Sequence, residues 1–439
     1  MLNIKFALRT LFKTPFVTIV AIVSLALGIG ANAAIFSLFN QILLKQLDVT
    51  EPARLVNLSA PGPKPGSQSC NQAGPCEAVF SYAMFRDLER IQTPFTGIAA
   101  HVNFGANLAS GGQTENGEGL LVSGGYFPVL GVPPAIGRLL GPDDDRTIGE
   151  SHVVVLSHAY WLRRFGGDPG VVNQPITVNG QVMTIVGVAP RGFDGTTLGQ
   201  KPLVFAPITM RGFSQPFKGF DNRRSYWAYL FARLKPGVSI EQARAALAPP
   251  YHQIINDVEV PLQTGMSPQT LARFKDKPIL LEDGARGQSN VSTEGRAPLT
   301  LLLGVTALVL VIACANIANL LLARGASRSS EMAVRLSIGA GRAQLIRQLL
   351  GESILLAMFG AIGSVFVAHW TLNLIATLLP PEATDTIRLE IDTAAALFSG
   401  VLAIGSGLLF GLFPALHSTR PDLVSALKGQ SGQASGARS

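Results

Sequence analysis

No G-x-x-x-x-G-K-[ST] phosphate loop occurs in these 439 residues, so the chain holds no P-loop site for ATP. Neither H-E-x-x-H nor G-x-S-x-G is present, which removes the common zinc-hydrolase and serine-hydrolase constellations. Histidine is sparse and scattered, at His101, His152, His158, His252, His369 and His417. His152 and His158 lie near each other, but six residues across a strand and the following turn do not put two ligands on one face, so a solvated or hydrogen-bonded role is the reading. No catalytic residue, cofactor or metal site is expected. Charge is also thin, at 14% of residues. The formal net charge of +7 would point to nucleic acid only if it were gathered on one accessible face. It is not, and no nucleic-acid partner is expected.

Of the three cysteines, Cys314 sits in an apolar run and reads as a small apolar residue. Cys70 and Cys76 are separated by NQAGP, a turn-forming spacer, in a region that the topology below puts outside the cytoplasm, where disulfides persist. They are a disulfide candidate, structural in role, with two reduced thiols as the alternative.

What the sequence has is long apolar runs, at 16–44, 298–322, 353–379 and 394–416. Each can cross a bilayer, which takes about 20 apolar residues at 1.5 Å per residue. These runs hold most of the uninterrupted hydrophobicity of a chain that is 47% hydrophobic, whereas 45–297 has the mixed pattern of a globular domain. The fold class expected is a membrane protein with four transmembrane α-helices and a large α+β extracytoplasmic domain inserted between helices 1 and 2.

Short loops rich in Arg and Lys stay in the cytoplasm. The loop 323–352 carries Arg324, Arg328, Arg335, Arg342 and Arg347 against Glu331 and Glu352, and it fixes the orientation. The pieces 1–15, 323–352 and 417–439 together hold eleven Lys/Arg and three Asp/Glu and are placed inside. The loop 380–393, with one Arg and four acids, is placed outside with 45–297. Lys5, Arg9 and Lys13 before the first run would suit a signal peptide or an N-in anchor; apolar character continuing through Leu43 favours the anchor. Gly28, Gly30, Ala31 and Ala34 in that run are small enough to let neighbouring helices approach closely. The last ten residues are mostly Gly, Ser, Gln and Ala and are expected to be disordered.

Within 45–297, RLVNLSA (54–60) and VVVLS (153–157) read as strands, and SYAMFRDLERIQ (81–92) as an amphipathic helix presenting Met84, Phe85 and Leu88. Asn179-Gly180 between apolar runs is a hairpin signal. WAYLFARL (227–234) is a further strand, followed by a helix with Ser239 as N-cap and Gln242 at the capping-box position. At this size two subdomains are expected. In the basic loop, Met332, Val334, Leu336 and Ile338 alternate in a way that fits strand or helix equally. After Gly339-Ala340-Gly341, the residues Leu345, Ile346, Leu349 and Leu350 form a helical stripe running into the third apolar run. Among polar residues in the runs, His369 beside Trp370 reads as interfacial, and Asn32, Asn316 and Asn319 read as interhelical hydrogen-bond partners.

The layout, and the loop SSEMAVRLSIGAGRAQLIRQLLGES in particular, resembles the FtsX-like permeases of the macrolide-exporter and lipoprotein-release class of ABC transporters. LALGIGANAAIFSLFNQILL and ACANIANLLLAR look closer to the duplicated orphan permeases of acidobacteria. YFPVLGVPPAIGR and VVVLSHAYWLRRFGGDP are similar to the family's periplasmic core domain. The resemblance implies a cytoplasmic coupling segment in which Glu331, Arg335, Gly339, Ala340, Arg342, Ile346, Gln348 and Glu352 meet a separate ABC ATPase subunit. It implies the bacterial inner membrane, both termini inside, and mechanical transmission to a periplasmic adaptor or substrate. Duplicated members run to about twice this length, so the chain is either a half-size permease or one half of a duplicated one, and a second permease copy or half is an expected partner. Regulation of a periplasmic cell-wall enzyme is the alternative, and a membrane-anchored enzyme the third reading.

Overall fold

The computed structural model describes residues 15–91, 93–212, 217–327, 342–378 and 393–418. They form two compact units: a helical one drawn from residues 1–42 and 295–439, and a sheet-containing one of residues 43–294.

The helical unit holds four long helices. The first is Pro15–Phe39, continued by a π turn at Asn40–Leu44; the second is Asn290–Ser327, whose N-terminal turn belongs to the other unit; the third is Arg342–Leu378 and the fourth Thr393–Ser418. Three stretches, Pro15–Leu44, Asn290–Leu320 and Leu350–Leu378, are long and apolar enough to cross a membrane; a further apolar stretch, Thr393–Leu409, is shorter. Helices suit such sequences because each satisfies its backbone hydrogen bonds internally, as a lipid surrounding demands.

The other unit is one twelve-stranded sheet. Its strands are β1 (Leu55–Ser59), β2 (Ser67–Gln68), β3 (Val79–Ser81), β4 (Phe95–Ser110), β5 (Gln113–Val122), β6 (Ile136–Gly137), β7 (Val153–Leu156), β8 (Pro175–Val178), β9 (Gln181–Val188), β10 (Val204–Pro207), β11 (Ser225–Leu234) and β12 (Leu280–Asp283). The main path is β12-β1-β11-β4-β5-β10-β7-β9-β6, with β2 and β3 on β11 and β8 bridging β4 and β9. Most pairs are antiparallel; β5 with β10, β7 with β9, and β2 with β11 are parallel.

Local chemistry sets several of these elements. Gly111 and Gly112 turn β4 into β5 with φ of 56° and 76°, and Asn179 and Gly180 turn β8 into β9 with φ of 49° and 83°, the left-handed pair that a tight hairpin requires. Asn179 also reaches back to β4: its Oδ1 accepts from the Asn107 amide at 2.7 Å and its Nδ2 donates to the Gly105 carbonyl at 2.9 Å. Ser239 caps the helix Ile240–Gln253, and Gln242 returns the bond to the Ser239 amide at 2.9 Å. The helix Tyr82–Ile91 buries Tyr82, Met84, Phe85 and Leu88.

Two clusters of buried side chains line the sheet. The larger includes Phe85, Leu88, Trp227 and Tyr251; the smaller gathers Tyr126, Phe127, Phe193, Phe205 and Phe231 in a ring of edge-on and tilted contacts. Phe85 is 0% exposed, so Phe85→Ala should cost about 3–5 kcal/mol of unfolding free energy. The solvent-facing Arg90→Ala should change it by less than about 1 kcal/mol. Denaturant unfolding followed by tryptophan fluorescence would check both; equal effects would contradict the burial assigned to this helix.

Candidate functional site

Half of the residues expected to meet an ATPase fall at the start of the third long helix. Glu331, Arg335, Gly339 and Ala340 lie outside the described residues. Arg342 opens the helix, and Ile346, Gln348 and Glu352 follow on it without a break into its apolar part. Ile346 is half-buried, Arg347 exposed and Glu352 buried. A single helix therefore runs from a basic N-terminal turn into the apolar bundle.

Close packing anchors this helix. A Cβ added at Gly411 would meet the Ser353 Cβ at 2.5 Å, and one at Gly407 would meet the Ala357 Cβ at 2.9 Å, so the fourth helix rests on the third backbone to side chain. The first helix is held the same way: a Cβ at Gly30 would lie 2.6 Å from the Val367 Cβ, and one at Gly28 would lie 2.9 Å from the Leu310 side chain. On the third helix, Gly360 and Gly363 face Leu25 and Ala26 of the first in turn. Small residues at helix crossings are what membrane packing rewards, because association there depends on close van der Waals contact.

Polar contacts add to it. Asn32 Nδ2 donates to the Gly28 and Thr306 carbonyls, both at 2.8 Å, and Thr306 Oγ1 lies 3.2 Å from Asn32 Oδ1, a pair of bonds between the first and second helices. Phe36 stacks on Phe398 of the fourth helix at 4.0 Å. Cys314 is buried with Leu310 and Ile317 against the first helix. Asn316 and Asn319, expected to pair between helices as Asn32 does, are instead exposed on the second helix, and His369 and Trp370 are exposed on the third.

In the sheet-containing unit the sulfurs of Cys70 and Cys76 are in bonding contact, with their Cα atoms 5.1 Å apart, inside the span of a disulfide. The loop that carries them is held from beneath by Lys64, whose Nζ donates to the carbonyls of Cys76, Glu77 and Val79 at 2.6, 2.7 and 2.7 Å. Lys64 and Lys277 are both buried and flank the Tyr226 ring, 5.8 and 5.7 Å from its centre. Burial, and then the neighbouring Lys277 charge, bring the Lys64 ammonium down to about 7; burial brings Lys277 down to about 8. Glu259, buried near Arg223 and Lys277, is raised to about 7 by the same loss of solvent. His101 is fully buried, held near 4 by burial, and its Nε2 pairs with Gln288 Oε1 at 2.7 Å. These groups could not be foreseen from the sequence, because a lysine in a Pro-rich loop reads as solvated until its three acceptors are seen. His152 receives a bond from Gln181 at 3.1 Å, His158 packs edge-on against Trp161, and no cluster of three metal-ligating side chains occurs among the described residues.

Replacing Lys64 with Met would strand three buried carbonyls, at a cost of roughly 1–3 kcal/mol. Because the folded Lys64 releases its proton near 7 and the unfolded one near 10.5, the unfolded chain binds more protons between those values, and the wild type gains stability as pH rises through them. The advantage of wild type over Lys64→Met should therefore widen from about pH 7 toward pH 10 in thermal unfolding; an advantage that narrows would contradict a buried, deprotonating Lys64.

Residues 18–249 match the MacB-like periplasmic core domain, and residues 303–423 match the FtsX-like permease C-terminal family. The macrolide export ATP-binding/permease protein MacB 2 of Aeromonas hydrophila subsp. hydrophila is 24% identical over 423 residues, 93% of this chain and 56% of the relative. The pyoverdine export ATP-binding/permease protein PvdT of Pseudomonas syringae pv. tomato is 23% identical over 312 residues, 70% of this chain and 41% of the relative. The chain spans about half the length of the curated relatives it matches. Among solved structures, the periplasmic region of MacB from Actinobacillus actinomycetemcomitans aligns at a TM-score of 0.36 and 13% identity, covering 56% of this chain and 93% of that one. With a family match that takes in more than half of its length, the chain belongs to the FtsX-like permeases with a MacB-like periplasmic core domain, a family of membrane-embedded ABC exporters.

Proposed function

We propose that this chain is the transmembrane subunit of an ABC transporter of the FtsX and macrolide-exporter type, which passes the motion of a separate ATPase to a periplasmic domain for export or extraction of a substrate. The observation that carries the reading is the unbroken helix Arg342–Leu378, which joins the end of a basic loop to an apolar span inside the FtsX-like region. In this reading the chain lies in the bacterial inner membrane with four spans, at 16–44, 298–322, 353–379 and 394–416. Residues 45–297 are periplasmic and 380–393 form a short periplasmic loop. The N-terminus, the loop 323–352 and the tail 417–439 are cytoplasmic, as the positive-inside rule favours. A bridged Cys70–Cys76 loop suits a periplasmic domain, since disulfides persist there. ATP hydrolysis, absent from the motifs of these residues, is supplied by the partner. A second permease copy or half completes the assembly, and a periplasmic adaptor or the substrate itself receives the work.

The orientation predicts that a membrane-impermeant maleimide added outside labels a single cysteine placed at Gly112 or Glu382 and spares one at Ser329 or Ser425. External labelling at Ser329 would reverse the assignment.

The coupling role has its own test. Glu331 and Arg335 are four apart, and an exposed pair of that kind contributes only about 0.3–0.5 kcal/mol to stability. At a desolvated contact the same side chains can be worth 2 kcal/mol or more, about thirtyfold in affinity. Glu331→Ala combined with Arg335→Ala should leave expression and thermal midpoint nearly unchanged while weakening capture of the ATPase and its stimulated hydrolysis. Parental capture and stimulation in the double variant would remove this face of the loop from the contact.

A further inference from the structure

The chain leaves the sheet-containing unit by the first turn of the second long helix, and the approach to that turn is tied down residue by residue. The Gln288 amide donates to the Thr196 carbonyl at 2.8 Å, its Nε2 donates to the Leu230 carbonyl at 2.9 Å, and its Oε1 lies 2.7 Å from His101 Nε2. Ser289 Oγ donates to the Leu198 carbonyl at 3.2 Å. Asn290, the first residue of the helix, has partners of another kind. Its amide donates to the Gln72 carbonyl at 2.9 Å and its Nδ2 to the Asn71 carbonyl at 3.1 Å. Both carbonyls belong to the short loop that Cys70 and Cys76 close. Residues Asn71–Pro75 of that loop are neither helix nor strand, so no ladder of backbone bonds fixes them. Their place comes from Tyr229, whose hydroxyl accepts from the Asn71 amide and donates to the Gly74 carbonyl, both at 2.8 Å, and from the covalent link between the two ends of the loop. Cys70 is exposed and Cys76 half-buried, and an exposed bridge is the kind that reagents in solvent open.

We propose that the Cys70–Cys76 bridge is a redox-sensitive latch on the root of the second long helix: closed, it presents the Asn71 and Gln72 carbonyls to Asn290, and opened by a dithiol it lets Asn290 go. In the opening step a thiolate of the dithiol attacks one sulfur of the bridge, breaking the S–S bond and forming a mixed disulfide, which the second thiol of the dithiol then resolves. Two electrons pass to the bridge, the two thiol protons of the reagent end on Cys70 and Cys76, and the reagent leaves as a disulfide. A closed loop has less freedom to gain on coming away from its partners than an open one has, so cutting the bridge favours the detached form. Gln288 bonds to Thr196, Leu230 and His101, none of them in the loop, and its hold persists. The latch therefore frees the first turn of the helix without freeing the segment before it. It regulates the transmission proposed above and rests on the reading that residues 45–297 face the periplasm, where a bridge persists.

The test is amide hydrogen exchange of the full chain in lipid bilayers, before and after reduction with dithiothreitol and alkylation. The Asn290 amide should exchange about tenfold faster once the bridge is open, while the Gln288 amide keeps its rate within about twofold. Cys70→Ser combined with Cys76→Ser should show the opened pattern with or without dithiothreitol. In Asn290→Ala, where half of the latch is already gone, reduction should still speed exchange in the loop but change position 290 by less than about threefold. An Asn290 rate that reduction does not move would overturn the latch and leave the bridge a local staple. Acceleration of Gln288 together with Asn290 would overturn it too, because the bridge would then support the whole unit. Both of those outcomes leave the periplasmic reading standing. Alkylation of Cys70 and Cys76 in membranes that were never reduced would defeat that reading of the bridge, and the latch with it.

Discussion

How closely one helix backbone can approach another decides the form of the helical unit. Glycines set that distance: Gly28 and Gly30 admit the second and third helices to the first, Gly360 and Gly363 receive Leu25 and Ala26, and Gly407 and Gly411 seat the fourth helix on the third. A methyl group at these crossings would stand within 3 Å of a neighbour, so the facing atoms would have to shift. The Asn32–Thr306 bonds then fix the first and second helices in register, which apolar contacts alone leave free to slide. The buried stripe of the second helix follows from this arrangement.

Much of this was legible in the sequence, and the exceptions have a common cause. Apolar run length marked all four long helices, because a 20-residue apolar run has few other structures open to it. Asn179-Gly180, Ser239 with Gln242, and the Met84, Phe85 and Leu88 stripe were readable because their chemistry is local. The small residues of the first run were readable as packing residues. What stayed hidden depends on partners far along the chain. β11 pairs with β1, β2, β3 and β4, and no window of sequence announces a strand with that many neighbours. Lys64 and Lys277 lie over 200 residues apart yet share the Tyr226 ring. The division of asparagines into one paired and two exposed could not be made until the helices were placed. For the coupling segment the sequence says more than the structure, since half of its expected residues fall outside the described ones.

Family membership and physical reading meet at the third helix. The FtsX-like region begins before the basic loop and continues to residue 423, taking in the residues proposed to meet an ATPase and the helix that follows them. The MacB-like domain begins inside the first helix, at residue 18, so the family treats that helix and the sheet as one piece of sequence. The buried Lys64, Lys277 and Glu259 belong to the sheet unit, and nothing in the proposed transmission draws on them.

The third helix has a mechanical consequence of its own. At 1.5 Å per residue its 37 residues make a rod about 55 Å long, roughly 25 Å more than the hydrocarbon thickness of a bilayer. A rod that outreaches its support acts as a lever. With its apolar part gripped by glycine-lined contacts, a tilt of about 5° displaces one end by about 5 Å relative to the other, close to the rise of one helical turn. In the transmission proposed above, stiffness would govern how much of a push reaches the far end: a single flexible joint at the lever's fulcrum would let the near end swing while the far end stood still.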